Sequence, residues 1–362
     1  MCNSSIENLN NVQKLVDKLP DDIDGAIINS EVNRRYFSSF YSSDGTLLVT
    51  RKNVYLFVDS RYYEMAQQSI NNIEIICSNN FCNDLYRVLN DEKCNNVAIE
   101  ASRICVKTFN DYREQLKNIN LVADGRLDRI ISNLRAIKSD EEINKISAAQ
   151  NITDDVFSHI LTFISEGMTE KDVATEIGKS ILVQSGVLHF SMIVVSGSRT
   201  SLPHGAPSSK KIEHGDFITI DFGAILDGYN SDMTRTICMG CLSKKQQEVY
   251  DIVLEGQRIA LENVRDGVPC RYVDALVREY FRKFGYDKEF GHGLGHGVGL
   301  EIHESPRLSF NSDDILCENM VVTIEPGIYL PSKFGVRIED MVVVKKNGYE
   351  NLAKSNKNLI CI

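Results

Sequence analysis

The chain has 362 residues, 43% of them hydrophobic and 25% charged, with a formal net charge of −10. That length suits two domains of ordinary size, and the negative balance argues against general affinity for nucleic acid or an anionic membrane. No apolar run approaches the roughly 20 residues of a membrane span.

In chain order, Ile6 to Leu19 has helical apolar spacing, Gly25 to Ile28 is a short apolar run, and Thr46 to Val49 and Val54 to Val58 read as strands. Asp59-Ser60-Arg61 opens a further helix with a capping residue at hand. Ile73 to Cys77 and Val97 to Glu100 again look like strands, so residues 1–130 form an α/β domain. A polar stretch from Asp124 to Ser132 reads as the break before a second domain, residues 131–362. There Ser139-Asp140-Glu141-Glu142 has capping-box spacing ahead of a helical pattern from Ile143 to Ile164. Further helices are expected from Thr169 to Val183, Lys244 to Val264 and Arg271 to Phe284, packed on a largely antiparallel sheet.

The amino terminus lacks a basic segment followed by an apolar one, so no secretory signal is expected and the default address is the cytoplasm. The ten cysteines are scattered and read mostly as reduced, apolar residues. Cys238-Met239-Gly240-Cys241 is a lone pair at the expected end of a strand, without the second pair a zinc site needs.

The acids of the second domain carry the chemistry. A turn at Asp227-Gly228 sets Asp221 opposite Thr234 and Asp232 opposite Gly223, which puts both aspartates on one face. Val321 to Glu325 is a strand that stops at Pro326-Gly327. The segment Gly335 to Val344 is its antiparallel return, so Glu325 and Glu339 can share a face as well. Like charges that close demand a cation or a proton. Three of the seven histidines, His292, His296 and His303, lie in one glycine-rich stretch. Four carboxylates and an imidazole suit a pair of borderline-to-hard ions such as manganese, iron, cobalt or zinc. His159, His189 and His214 match no motif and read as structural.

With these residues placed, the chain resembles the prolidase and aminopeptidase P group of pita-bread metallopeptidases, relatives of methionine aminopeptidase and creatinase. The resemblance rests on Leu202-Pro203-His204-Gly205, Ile220-Asp221-Phe222-Gly223 and Asp232-Met233-Thr234-Arg235-Thr236. It extends through His292 to Glu304, Thr323-Ile324-Glu325-Pro326-Gly327-Ile328-Tyr329 and Gly335 to Asp340. It implies an α+β protein: a pita-bread catalytic domain behind a smaller α/β creatinase-like domain. By the same resemblance, Asp221 would chelate one divalent ion, His296 and Glu325 a second, and Asp232 and Glu339 would bridge them. Manganese is the first expectation, with cobalt, zinc or iron as alternatives.

The resemblance also assigns His204 and His303 to the substrate, His292 to the site edge and Arg337 to holding a ligating carboxylate. Peptide hydrolysis by a metal-activated water would follow, with His303 at the oxyanion and Glu325 relaying the proton. The implied substrates are Xaa-Pro dipeptides or longer peptides beginning Xaa-Pro. Arg307 resembles the prolidase arginine that receives a dipeptide's carboxylate, which favours a dipeptidase over an aminopeptidase; the plainer alternative pairs it with Glu304. The family commonly forms homodimers. A plain methionine aminopeptidase is disfavoured by the added domain, and a non-catalytic binding protein by the complete set of ligands.

Overall fold

The computed structural model describes residues 2–184, 186–188 and 192–362, and the side chains of all of these except 2–9 and 188. His189 lies outside the described residues. The chain divides into two compact units, Met1–Arg135 and Ala136–Ile362.

The first unit is built on six strands in the order Glu74–Cys77, Val54–Val58, Thr46–Thr50, Gly25–Ile28, Asn96–Ile99 and Asn120–Val122. The three central strands pair antiparallel, while the outer pairings on both sides are parallel. Their continuous apolar runs, such as Leu47-Leu48-Val49, are buried on both faces, as a sheet covered by helices requires. Asp59 caps the helix Ser60–Ser69, its side chain accepting from the Arg61 amide.

Two elements differ from the sequence expectation. The short helix Glu31–Ser38 begins where Glu100 accepts from the Asn29 and Ser30 amides and from the Asn33 side chain, a long-range clamp that local pattern does not reveal. The polar stretch read as a break is part of the helix Arg126–Ala136, in which Leu127, Ile131 and Leu134 form a buried stripe. Arg126, Asp128 and Arg129 lie off that stripe and mask it in sequence, and Arg135 is itself buried.

In the second unit the helix Asp140–Phe163 starts at a complete capping box between Ser139 and Glu142. With Glu170–Val183, Lys244–Leu261 and Cys270–Arg282 it packs against antiparallel ladders. Phe217–Phe222 lies between Ile193–Ser196 and Met233–Cys238. A second sheet runs Glu304–Leu308, Gly295–Gly297, Val321–Ile324, Asp340–Lys345, Gly348–Asn351.

The Asp227-Gly228 turn has positive φ at both residues, 47° and 78°, as a tight turn with right-handed strand twist needs. Asp221 therefore pairs with Thr234. The expected single return strand after Pro326-Gly327 is in fact two. Phe334–Arg337 pairs with Gly327–Leu330, and Asp340–Lys345 pairs with Val321–Ile324. The break between them occurs because the Glu339 amide donates to the Thr234 carbonyl, and the Arg337 amide to the Thr236 hydroxyl, tying this segment to the other sheet. The segment bearing Glu339 is thus joined to the strand that follows Asp232.

Candidate metal centre

Asp221 is the penultimate residue of Phe217–Phe222, Asp232 directly precedes Met233–Cys238, Glu325 follows Val321–Ile324, and Glu339 sits in the break between two strands. His296 lies on the short strand Gly295–Gly297, at a bulge opposite Arg307. Glycine is obligatory beside it, since a Cβ at Gly295 would collide with the Thr323 carbonyl. That close approach brings the His296 amide to the Thr323 hydroxyl at 3.1 Å and the Glu325 amide to the Leu294 carbonyl at 2.8 Å.

Asp232, His296 and Glu339 place ligand atoms within 4.8 Å of one another. Glu325 joins them, its Oε1 3.4 Å from His296 Nε2, and Asp221 borders the group as a charge that acts on Asp232 and Glu339. Burial, then repulsion from Glu339, Asp221 and Glu325, raises Asp232 well above the usual carboxylate range. Glu339 is raised by burial and then by Glu325 and Asp221, although Thr234 donates to its Oε2 at 2.6 Å. Burial pushes Glu325 up to about 8.

Two details show what such a cluster lacks. His296 is pushed down to about 3 by burial and by His303, so its ring is neutral, and Nδ1 donates to the Gly297 carbonyl at 3.1 Å. Its Nε2 lone pair then faces carboxyl oxygens of Asp232 at 3.6 Å and Glu325 at 3.4 Å, both farther than an ordinary hydrogen bond. Asp221 has the second deficit. Its Oδ2 accepts from Arg337 Nη2 at 2.6 Å, but its Oδ1 is buried with no hydrogen-bond partner. A cation among these atoms satisfies both, and an oxygen-rich set with one imidazole fits hard or borderline divalent ions.

Arg337 is held in turn. Its Nε donates to Thr234 Oγ1 at 3.0 Å and its Nη1 to Tyr329 Oη at 2.8 Å. The Tyr329 hydroxyl meets His292 Nε2 at 2.9 Å, while His292 Nδ1 lies 2.8 Å from the Gly293 carbonyl. Burial and the charge of Arg337 push His292 down to about 4, so it is neutral, with Nδ1 donating and Nε2 accepting from the tyrosine. Both ring nitrogens are engaged inside the protein, and the residue serves as a wall.

The cluster opens into a cavity of about 920 Å³. His204, His303 and Arg307 line it, as do Ser309 and Asn311 of the following segment. His303 stacks edge-on against His296 with ring centres 4.3 Å apart. Lys138 holds the Glu304 carboxylate at 2.7 Å in a buried ion pair, and the Arg307 amide donates to Asp314 at 2.9 Å. Cys238 is buried and Cys241 exposed, both as free thiols.

Residues 144–346 match the Metallopeptidase family M24, and residues 9–137 match the Creatinase/Prolidase N-terminal domain. The chain belongs to metallopeptidase family M24. Its architecture is accordingly a pita-bread catalytic domain behind a smaller creatinase-like domain. This M24 metallopeptidase is 37% identical to the Xaa-Pro dipeptidase of Pyrococcus horikoshii over 357 residues, 98% of this chain and 99% of that one. Among solved structures it is similar to an Xaa-Pro dipeptidase from Bacillus anthracis, with 37% identity and a TM-score of 0.94, covering 98% of this chain and 100% of that one. It is also similar to an X-Pro aminopeptidase from Thermotoga maritima, with 36% identity and a TM-score of 0.87, covering 94% and 98%.

The metallopeptidase's hydrogen-bonding layer of Thr234, Thr323 and Tyr329 carries no role in the sequence reading. All three fall inside the motifs quoted there, and only their partners reveal what they do. Among the described residues, no helix is long and apolar enough to cross a membrane.

The raised acids set a pH signature. Glu325 in the metal-free fold binds a proton up to about 8, against 4.5 for a free carboxyl. The native state therefore holds more protons than the unfolded one between those values, and the stability of metal-free protein falls as pH rises across that window. Divalent ions displace these protons. Titration calorimetry in buffers of different ionisation enthalpy is expected to show at least one proton released per site at pH 6.5, where Glu325 is protonated before the ions bind. Release well below one proton at that pH would contradict the raised acids.

Proposed function

We propose that this metallopeptidase is an Xaa-Pro dipeptidase working with two divalent ions, manganese first. Asp221 would hold one, His296 and Glu325 the other, and Asp232 and Glu339 both. The observation that supports this reading most is one cavity holding the acid cluster and, on its wall, the exposed guanidinium of Arg307. When bound, the ions would supply Lewis acidity and a water with its pKa lowered toward roughly 7.

The chain's own groups do the rest. Arg337 pairs with the Asp221 carboxylate, and three further hydrogen bonds, to Thr234, Tyr329 and the Pro203 carbonyl, hold the guanidinium in place. Glu325 lines the cavity, where its carboxylate would relay a proton to the leaving proline nitrogen. His303 packs on His296 and lines the cavity, where its ring can donate to the scissile carbonyl oxygen as charge develops. His204 lines the same space and orients the substrate backbone. Arg307 presents a planar fork to the free carboxylate of a dipeptide. A longer peptide has no carboxylate at that distance, which is how one side chain would distinguish the two substrate classes.

The likeness to the Thermotoga X-Pro aminopeptidase favours a second reading, removal of the first residue from longer Xaa-Pro peptides. Hydrolysis of Ala-Pro and Ala-Pro-Ala by parent and Arg307→Ala, after chelation and reloading with manganese, cobalt or zinc, separates the two. A dipeptidase is expected to prefer Ala-Pro and to lose about 2 kcal/mol of that preference with Arg307→Ala, roughly thirtyfold in kcat/KM. Equal cutting of both peptides with Arg307 indifferent would establish the aminopeptidase reading instead.

A further inference from the structure

The run Gly291 to Leu294, which leads into His296, belongs to no strand. Its backbone polar groups need partners from elsewhere. Two of them, the His292 carbonyl and the Leu294 amide, are met by one ion pair on the helix Cys270–Arg282. Arg278 donates from Nη1 to the Phe290 carbonyl at 2.9 Å and from Nη2 to the His292 carbonyl. Asp274, fully buried, accepts from the Leu294 amide at 3.2 Å. The two side chains are bound to each other by a fork, Nε to Oδ2 at 2.7 Å and Nη2 to Oδ1 at 3.1 Å. The Leu294 carbonyl then takes the Glu325 amide.

The faces of the guanidinium are engaged as well. Phe290, buried, places its ring centre 4.4 Å from the Arg278 Cζ, and Phe310 places its own at 5.5 Å. Phe290 also packs edge-on against His292, ring centres 5.0 Å apart. Phe310 is 69% exposed and stands between Ser309 and Asn311, which line the cavity just after Arg307.

We propose that Arg278 is a positioning residue that sets substrate affinity, tying the His292 wall to the Ser309–Asn311 rim so that the two sides of the cavity keep a fixed separation. The inference rests on the Xaa-Pro dipeptidase reading for its substrate. Asp274 locks the arginine's orientation, and Phe310 transmits it to the rim without touching the acid cluster. Lysine is a poor replacement, since a point charge can pair with Asp274 but cannot span two carbonyls or stack as a plane.

The test uses the metal-loaded full chain with Arg278→Met, Arg278→Lys and Phe310→Ala. KM for Ala-Pro is expected to rise about tenfold with Arg278→Met and about threefold with Phe310→Ala, kcat falling less than threefold in both. Arg278→Lys should fall between parent and Arg278→Met. In protein with ¹⁵N-labelled histidine, the His292 ring signals of the Nδ1-protonated form should shift or broaden in Arg278→Met. KM within twofold of parent in Arg278→Met and Phe310→Ala, or a fall in kcat at constant KM, overturns the proposal. If Arg278→Met does not fold, Phe310→Ala decides alone, and an unchanged KM there overturns it. If the parent cleaves neither Ala-Pro nor Ala-Pro-Ala, the dipeptidase reading has failed. The His292 signals then decide, and unaltered signals in Arg278→Met overturn the positioning role.

Discussion

Asp232→Asn and Glu339→Gln are each expected to lower kcat/KM for Ala-Pro by roughly a thousandfold or more while leaving the fold intact. Both carboxylates are buried within the acid cluster, and each is the group through which two ions would be held together. The sign of the stability effect is the sharper part of this expectation. Without metal, each acid is held well above its ordinary range by burial and by its acidic neighbours, so a neutral amide of the same shape avoids the cost of taking up a proton on folding. Chelated Asp232→Asn should therefore melt at or above the temperature of chelated parent, while the loaded parent gains far more from manganese than the loaded variant does. Thermal melts with and without chelator, alongside Ala-Pro kinetics, read both effects. Activity near that of the parent in either variant would sink the two-metal reading.

Arg337→Met is expected to act in the opposite direction. It removes the guanidinium that neutralises Asp221 and leaves the Tyr329 hydroxyl and Thr234 without their shared partner. Breaking a buried pair from one side costs about 3–5 kcal/mol. The loss should be greatest in chelated protein and smaller once ions occupy the cluster, because they replace part of the missing positive charge. Arg337→Lys should recover little, since one ammonium cannot reach Asp221, Thr234 and Tyr329 together. A denaturant titration in which the chelated and loaded forms lose equal stability would argue against this account of Arg337.

The opposition of Asp221 and Thr234 was legible in the sequence because Asp227-Gly228 is a turn whose chemistry dictates register. The alignment of Glu325 with Glu339 was legible for a related reason, since Pro326-Gly327 marks where one strand must stop. That the return strand splits was not, because its apolar pattern runs on while the cause lies in Thr234 and Thr236, a hundred residues earlier. The helix Arg126–Ala136 was hidden by charges off its buried stripe. The state of His292 was hidden too, since Tyr329 and Gly293 decide which of its nitrogens is available. Pattern therefore located the acids and the histidine, while the hydrogen bonds that orient them are non-local and needed the fold.

Asp232, His296, Glu325 and Glu339 stand where a ladder ends or bulges, and Asp221 is the last residue of its strand that pairs with Ile193–Ser196. A residue in the middle of a ladder cannot move without disturbing hydrogen bonds on both sides, whereas one at a break is restrained from one side. The centre can then adjust to ions of different radius by small, local shifts, with the flanking ladders undisturbed. Choosing among manganese, cobalt and zinc would fall less to the fit of this protein than to which ion the cell supplies.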